Sequence, residues 1–163
     1  MKTRRLALSA LLATVALTIF VLEAQLPPLL PLPGFRLGLS NVVTVFALFV
    51  LGWREALAIV LVRILLGNLM TGQVSALLYA LGGGLLSYAA MALLRPRLKE
   101  TQIWVCGVVG SLAHNIGQMA VALLLTGTPE FLYFLPALLL CGLGTGLFTG
   151  LCAQLLRRCF RRL

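Results

Sequence analysis

Long apolar runs, separated by short polar or proline-rich stretches, make up most of this chain. A helix that crosses the hydrocarbon core of a bilayer needs about 20 apolar residues. Four runs reach that length, namely residues 6–26, 74–94, 103–125 and 131–156. Each of these runs predicts a membrane-spanning helix.

Two shorter apolar runs, residues 39–52 and 56–70, are separated only by Trp53, Arg54 and Glu55. At 1.5 Å per residue each run covers only about 20 Å as a helix. They are therefore expected to form either a tight helical hairpin or partly re-entrant helices, and both choices return the chain to the same side. The pattern as a whole predicts an all-α membrane protein, a bundle of six transmembrane helices in a single integral membrane domain over residues 1–163.

The first run also has features of a secretory signal peptide, because it follows the basic start MKTRR. Its apolar part is long for a signal peptide, however, and Glu23-Ala24-Gln25 is a poor cleavage site. We therefore expect a retained helix. The stretch LPPLLPLPGFRLGLSN then contains four prolines, which end the helix and predict an extended, ordered loop at the membrane surface.

The charged residues support a membrane location and indicate its orientation. The mean hydropathy is +1.06, only 10% of the residues are charged, and the formal net charge is +9. A positive charge can signal nucleic-acid binding, but these basic residues flank apolar runs, where they determine topology and contact anionic lipid. With the N-terminus inside, the cytoplasmic side receives Lys2, Arg4, Arg5, Arg54, Arg95, Arg97, Lys99, Arg157, Arg158, Arg161 and Arg162.

The predicted outer loops contain only Arg36, and Arg63 lies within the third helix. We therefore predict a multi-pass protein of the bacterial cytoplasmic (inner) membrane, with both termini in the cytoplasm.

Several polar residues lie inside predicted helices, where each costs free energy unless it is satisfied. At 100° per residue, His114, Asn115 and Gln118 fall within one sector of the fifth helix. Arg63 lies at a similar depth and needs a carboxylate, carbonyls, water or an anionic ligand. The residues predicted to converge on a substrate cavity in the outer half of the bundle are Arg36, Asn41, Arg63, Asn68, Gln73, His114, Asn115 and Gln118.

Two simpler explanations for these polar groups stay open. The side chains form a hydrogen-bonded network that only holds helices together, or Glu23 is the partner of Arg63. The default for ionisable groups inside a membrane favours a ligand cavity.

Small residues form stripes on two helices. Gly142, Gly146 and Gly150 recur at every fourth position, which allows close approach of another helix. The first helix has one row with Ser9 and Ala13, and another with Ala10, Thr14 and Thr18. Packing within the monomer and docking of a separate membrane subunit both fit these rows. The four cysteines match no metal-binding or redox spacing, so we assign them no function.

Three segments carry a resemblance to a known family: EAQLPPLLPLPGFRLGLSNVVTVFAL, RILLGNLMTGQVSALLYALGGGLLSYAAM and GSLAHNIGQMAVA. Together they resemble the Gx transporter family, also labelled heptaprenyl diphosphate synthase component I. That family is similar to the substrate-binding S-components of energy-coupling factor (ECF) transporters. The resemblance implies a six-helix bundle that binds a small vitamin or cofactor precursor near the outer face, under the loop after the first helix.

The resemblance also implies partners, since separate transmembrane and ATPase subunits drive transport in ECF systems. The first helix of an S-component usually carries two alanines four residues apart for docking. Here the corresponding positions are Ser9 with Ala13 and Ala10 with Thr14.

The synthase label predicts a set of metal-binding residues, which can be looked for in the sequence. Prenyl diphosphate synthases bind magnesium-bridged diphosphates through clustered aspartates, because hard cations need oxygen ligands. This chain has no aspartate and only four scattered glutamates, so we expect no catalysis, metal site or cofactor. It also has no phosphate-binding loop for ATP.

The leading hypothesis is therefore an ECF-type substrate-binding subunit for a small cofactor, vitamin or isoprenoid-related precursor. The first alternative is a noncatalytic membrane partner of a soluble polyprenyl diphosphate synthase. The second is a structural membrane subunit without a ligand.

Overall fold

The computed structural model describes residues 2–25, 36–72 and 76–161. This part of the chain contains six α-helices and no strand. The helices are α1 (Lys2–Glu23), α2 (Asn41–Val50), α3 (Trp53–Met70), α4 (Leu77–Leu94), α5 (Ile103–Thr126) and α6 (Leu135–Phe160). Short 3₁₀ turns at Arg95–Arg97, Glu100–Gln102 and Pro129–Phe134 join the last three helices.

Four helical segments are long and apolar enough to cross a membrane: Thr3–Glu23, Leu77–Arg97, Glu100–Thr126 and Pro129–Phe160. They correspond to the four long apolar runs, and they identify the chain as a helical membrane protein. The two remaining helices, α2 and α3, do not meet these criteria of length and apolar composition. Helix α2 has only 10 residues, and α3 has 18 residues but includes three charged side chains. Six membrane crossings therefore remain a prediction.

The junction between α2 and α3 lies earlier than the sequence pattern predicts. Trp53, Arg54 and Glu55 were expected to separate the two helices, but they form the first turn of α3. The break lies at Leu51 and Gly52, and Gly52 has a φ of 115°. That backbone conformation is open to glycine and strained for other residues. The two helices pack against each other as a hairpin.

The last helix also begins later than predicted. Residues 131–134 were expected to be helical, yet Pro129–Phe134 forms a 3₁₀ turn, and α6 starts at Leu135. Helix α6 then continues to Phe160, four residues beyond the predicted end. The first helix ends at Glu23, before the predicted residue 26, which lies outside the described residues.

Helix α2 lies at the centre of the bundle. It packs against α1, α3, α5 and α6, and six consecutive residues, 43–48, are buried. A helix that is buried all round belongs in a protein core, whereas a lipid-facing helix keeps one exposed apolar face. The short apolar run 39–52 is therefore a core element.

The glycine stripe of α6 packs within the monomer. A Cβ on Gly150 would lie 2.5 Å from the Trp104 carbonyl oxygen, and one on Gly146 would lie 2.7 Å from Val108 Cα. Both neighbours belong to α5, so the glycines allow α5 and α6 to approach closely. The outer faces of α1 and α6 instead expose large apolar side chains, among them Leu6, Leu11, Leu22, Leu140, Phe148 and Leu155. Such faces are suited to lipid.

Contacts between distant residues define the two ends of the bundle. At one end, Glu100 pairs with Arg157 and Arg161, and the Tyr88 hydroxyl donates to the Trp53 carbonyl. This end contains the junctions that the charge pattern predicts to be cytoplasmic. The opposite end brings together the end of α1, the start of α2, the middle and end of α3, and the C-terminal half of α5.

Candidate polar cavity

A small cavity lies at this opposite end, between α1, α3, α4, α5 and residues 36–40. The described residues that line it are Phe20, Glu23, Arg36, Gly38, Ser40, Arg63, Ile64, Ala80, His114 and Gln118. Its volume, measured as the space open to the centre of a water molecule, is about 10 Å³. That volume is enough for about one water molecule.

Glu23, the last residue of α1, holds the segment that closes the cavity. Its carboxylate accepts hydrogen bonds from the backbone N–H groups of Gly38, at 2.6 Å, and Leu39, at 3.1 Å. The side chain is buried, and a carboxylate is well suited to accept two such bonds. Gly38 has a φ of 75°, and a Cβ there would lie 2.9 Å from Asn41 Nδ2. Glycine is thus required for both conformation and space.

Arg63 is fixed from the other side of the same segment. Its Nη1 donates to Ser40 Oγ at 2.6 Å and to Asn41 Oδ1 at 3.2 Å, while its side chain is only 2% exposed. Among the described residues, both ion pairs within 4.0 Å involve Glu100, so Arg63 and Glu23 make no direct ion pair. Their charges attract each other across the cavity. The Arg63 Nε has no hydrogen-bond partner within the described part.

Arg36 adds a second cation at the edge of the cavity. Its guanidinium lies 3.9 Å from the centroid of the Phe20 ring, a cation–π contact. Burial lowers the pKa of Arg36, and the nearby Glu23 carboxylate acts in the opposite direction. An arginine in this setting stays charged. The lining therefore carries two guanidinium groups and one carboxyl group.

His114 and Gln118 supply the polar wall on α5. They are 5% and 0% exposed. Neither polar atom of the Gln118 side chain has a hydrogen-bond partner in the described part of the chain. The ring nitrogens of His114 make no hydrogen bond of good geometry there, but the Gly83 backbone lies close enough to interact with the ring. Gly83 on α4 makes room for both, because a Cβ there would lie 2.7 Å from Gln118 Cγ and 3.0 Å from His114 Cε1. Buried polar groups without partners are uncommon in proteins.

The structure brings together only some of the predicted site residues. Arg36, Arg63, His114 and Gln118 line the cavity. Asn41 contacts Arg63 without itself lining the cavity. Gln73 lies outside the described residues. A role for any of them in binding stays a prediction.

Two predicted residues have structural contacts elsewhere. Asn115 was expected to share a sector with His114 and Gln118, but its Nδ2 donates to the Leu138 carbonyl at 2.6 Å, toward α6. A helix of 3.6 residues per turn rotates neighbours by 100°, which is enough to move Asn115 to a different interface. Asn68 donates to the Ile64 carbonyl one turn earlier in α3, at 2.8 Å. Neither residue lines the cavity.

Sequence reasoning missed five lining residues and gave Glu23 only one possible role. The residues not singled out were Phe20, Gly38, Ser40, Ile64 and Ala80. Glu23 was considered only as a partner of Arg63. Ser40, just before the apolar helix α2, was an available signal, because serine is common at the position that precedes a helix. Nothing in the pattern places Phe20 under Arg36.

The predicted docking residues on α1 separate into two groups. Ala10 and Thr14 are exposed, whereas Ser9 and Ala13 are half-buried, and Ala13 packs against the core. The hydroxyls of Ser9 and Thr14 donate to carbonyls one turn earlier in their own helix. The row that faces outward is therefore Ala10, Thr14 and Thr18.

With this geometry in place, comparison with known families gives a definite result. The family profile described as heptaprenyl diphosphate synthase component I matches residues 12–156. The chain belongs to that family. A search of curated proteins found no match, and a search of solved structures found none either. The likeness of this component I protein to ECF S-components therefore remains a hypothesis.

Proposed function

We propose that this component I protein is a noncatalytic membrane subunit that acts with a soluble polyprenyl diphosphate synthase. The family match over residues 12–156 is the observation that carries the proposal. A component I implies a second component, and the helical membrane character of this chain suits a subunit that brings a soluble partner to the bilayer.

The chemistry of the chain suits a subunit that leaves catalysis to such a partner. Diphosphates bridged by divalent cations need clustered oxygen ligands. In the described part of the chain, no three His, Cys, Asp or Glu side chains group together as a metal site. Glu23 is engaged with backbone N–H groups, and Glu100 pairs with two arginines. A synthase reaction that depends on this chain would thus take place in the partner.

Affinity purification from native membranes tests this proposal. The tagged full-length chain should recover an aspartate-rich synthase in constant ratio, and removal of the chain from the membrane should lower membrane-associated synthase activity. An unrelated six-helix membrane protein with the same tag is the control. Recovery of the synthase at the control level, together with unchanged activity, would contradict the proposal.

A second function is favoured by the cavity. The cavity lies beneath residues 36–40, which follow the first helix, and its wall contains buried polar atoms without partners. These features suit a substrate-binding subunit of an ECF-type transporter for a small cofactor, vitamin or isoprenoid-related precursor. The outward row on α1 would then contact the transmembrane subunit.

The same purification distinguishes the two functions. An ECF role requires a transmembrane coupling protein and ATPase subunits in the recovered complex, and it requires ATP-dependent uptake in vesicles. If both are missing while a synthase is recovered, the first proposal stands and the transport proposal is wrong.

A further inference from the structure

The end of α6 carries three arginines beside an apolar face of the same helix. Arg157 and Arg158 belong to the last turn of α6, and Arg161 follows as its C-terminal cap. Arg158 and Arg161 are exposed, whereas Arg157 is half-buried. These three residues, the arginine cluster, lie at the end of the bundle that the charge pattern predicts to be cytoplasmic. The cluster is open to a ligand at the membrane surface.

One carboxylate fixes two of the three guanidinium groups. Glu100 Oε1 accepts a hydrogen bond from Arg157 Nη2 at 3.1 Å, and Glu100 Oε2 accepts one from Arg161 Nη1 at 2.9 Å. Among the described residues, Glu100 supplies the carboxylate of both ion pairs within 4.0 Å. Each guanidinium has five N–H donors, so most donors of the cluster are not used by Glu100. Guanidinium groups held side by side in this way suit the oxygens of a phosphate.

An apolar stripe on α6 leads to the arginine cluster. Leu147, Leu151 and Leu155, the α6 stripe, are 44%, 42% and 58% exposed. They recur at every fourth position, and Arg158 continues the same face three residues later. At 1.5 Å per residue, Arg158 lies about 4.5 Å beyond Leu155 and Arg161 about 9 Å beyond it. The headgroup layer extends roughly 5–8 Å beyond the hydrocarbon, so the guanidinium groups lie at headgroup depth.

Aromatic residues support this depth and hold the end of α6 in place. Trp104 on α5 is 39% exposed, and its backbone N–H donates to the Gln154 side chain, one turn before the cluster. Exposed tryptophan is typical of the boundary between hydrocarbon and headgroups. Phe160 packs edge to face on Phe46 of the central helix α2, with the ring centroids 5.8 Å apart. The cluster is therefore anchored at the membrane interface.

We infer that the arginine cluster binds the phosphate group of an anionic amphiphile whose apolar chain lies along the α6 stripe. Two molecules share this chemistry, namely an anionic phospholipid of the same leaflet and the prenyl diphosphate that a partner synthase releases. The second source rests on the proposed function, whereas the first does not. A soluble anion would use only the arginines and leave the stripe without a role.

Binding of defined probes to the full-length protein in detergent tests the inference. The anionic probes are phosphatidylglycerol and geranylgeranyl diphosphate. Their neutral counterparts are phosphatidylcholine and geranylgeraniol, and inorganic diphosphate represents the headgroup alone. A ligand that binds the folded state raises the unfolding temperature with concentration, which gives an apparent Kd. Each anionic amphiphile should bind at least about tenfold more tightly than its neutral counterpart, and the prenyl diphosphate more tightly than inorganic diphosphate. Equal affinities within these pairs would overturn the inference.

Competition between the two anionic probes identifies the source. Tighter binding of geranylgeranyl diphosphate supports a site for the synthase product, whereas equal or tighter binding of phosphatidylglycerol supports a site for leaflet lipid. Neither measurement requires the synthase. Failure to recover a synthase therefore leaves the amphiphile site standing, and failure of the probes to bind leaves the synthase proposal standing.

A matched pair of double variants locates the site. Arg158→Gln with Arg161→Gln leaves one ion pair with Glu100 intact and should weaken binding about 30-fold, since each arginine near an anionic group contributes a factor of about five. Arg54→Gln with Arg97→Gln removes the same charge from exposed positions at the same end and should change affinity little. Where the first variant does not fold, Arg158→Gln alone replaces it, with an expected loss of about fivefold. Equal affinities of cluster and control variants would overturn the assignment.

Discussion

Arg63 Nη1 donates a 2.6 Å hydrogen bond to Ser40 Oγ, and this contact joins residues 23 positions apart in the chain. It ties the start of α2 to the middle of α3 inside the membrane domain. Glu23 ties the same segment to the end of α1. Residues 38–40, which close the cavity, are therefore held by two oppositely charged side chains from different helices.

Replacement of Ser40 by alanine should destabilise the protein. A hydrogen bond to a charged group contributes about 1.5–3 kcal/mol, and its loss leaves the buried guanidinium with fewer partners. Thermal or denaturant unfolding in detergent measures the change. Ser9→Ala is the matched control, since that hydroxyl bonds only within its own helix at the surface. Similar losses for both variants would show that the Arg63 contact is unimportant.

Gly83→Ala should also destabilise the bundle, by about 1–3 kcal/mol, because the new methyl group would collide with Gln118 and the His114 backbone. Gly144→Ala provides the comparison on α6, where a Cβ has no neighbour within 4 Å. In that exposed position alanine should be neutral or slightly stabilising, given its higher helix propensity. A neutral Gly83→Ala would mean that α4 and α5 are less closely packed than described.

Replacement of Asn115 should lower the stability of the protein, whereas replacement of Gln118 should not. Asn115→Ala removes the bond to the Leu138 carbonyl and should cost about 1 kcal/mol. Gln118→Met replaces an amide that has no partner in the described part of the chain, so stability should stay equal or rise. Unfolding curves of the two variants, recorded side by side in the same buffer, test which substitution lowers stability more. A larger loss for Gln118→Met would indicate a structural role for that amide.

The outward row on α1 can be altered without touching the core. Ala10→Leu combined with Thr14→Leu changes only exposed positions, so stability should stay within about 0.5 kcal/mol. Ala13 is unsuitable for this purpose because it packs against the core. We expect the double variant to fold normally and to recover less of a membrane partner. Ala16→Leu, at a fully buried site, should lose stability and serves as the contrast.

Topology is testable with reporters that are active only in the cytoplasm. Fusions after Leu163 or within residues 95–102 should be active, since basic residues resist translocation. A fusion at Gly127, on the opposite side of α5, should be inactive. Activity at Gly127 would overturn the six-crossing arrangement.

Hydrophobicity along the chain was enough to determine much of this protein. Apolar runs of about 20 residues have one stable solution in a bilayer, because a helix satisfies its own backbone hydrogen bonds. For that reason the four long helices α1, α4, α5 and α6 and the membrane class follow from the sequence. The short run at 39–52 predicts a helix as well, but its apolar composition does not distinguish a core helix from one that faces lipid.

The composition of the cavity depended on tertiary structure. Helical periodicity placed His114, Asn115 and Gln118 in one sector. In the structure Asn115 instead donates to a carbonyl of α6, whereas His114 and Gln118 pack beside Gly83, which leaves space for them. Glu23, Ser40 and Arg63 meet because three helices and a turn converge, and no local pattern encodes that distance. The sequence determines which polar groups lie inside the membrane. Packing determines which of them face one another, because each side chain finds its partners on the neighbouring helices.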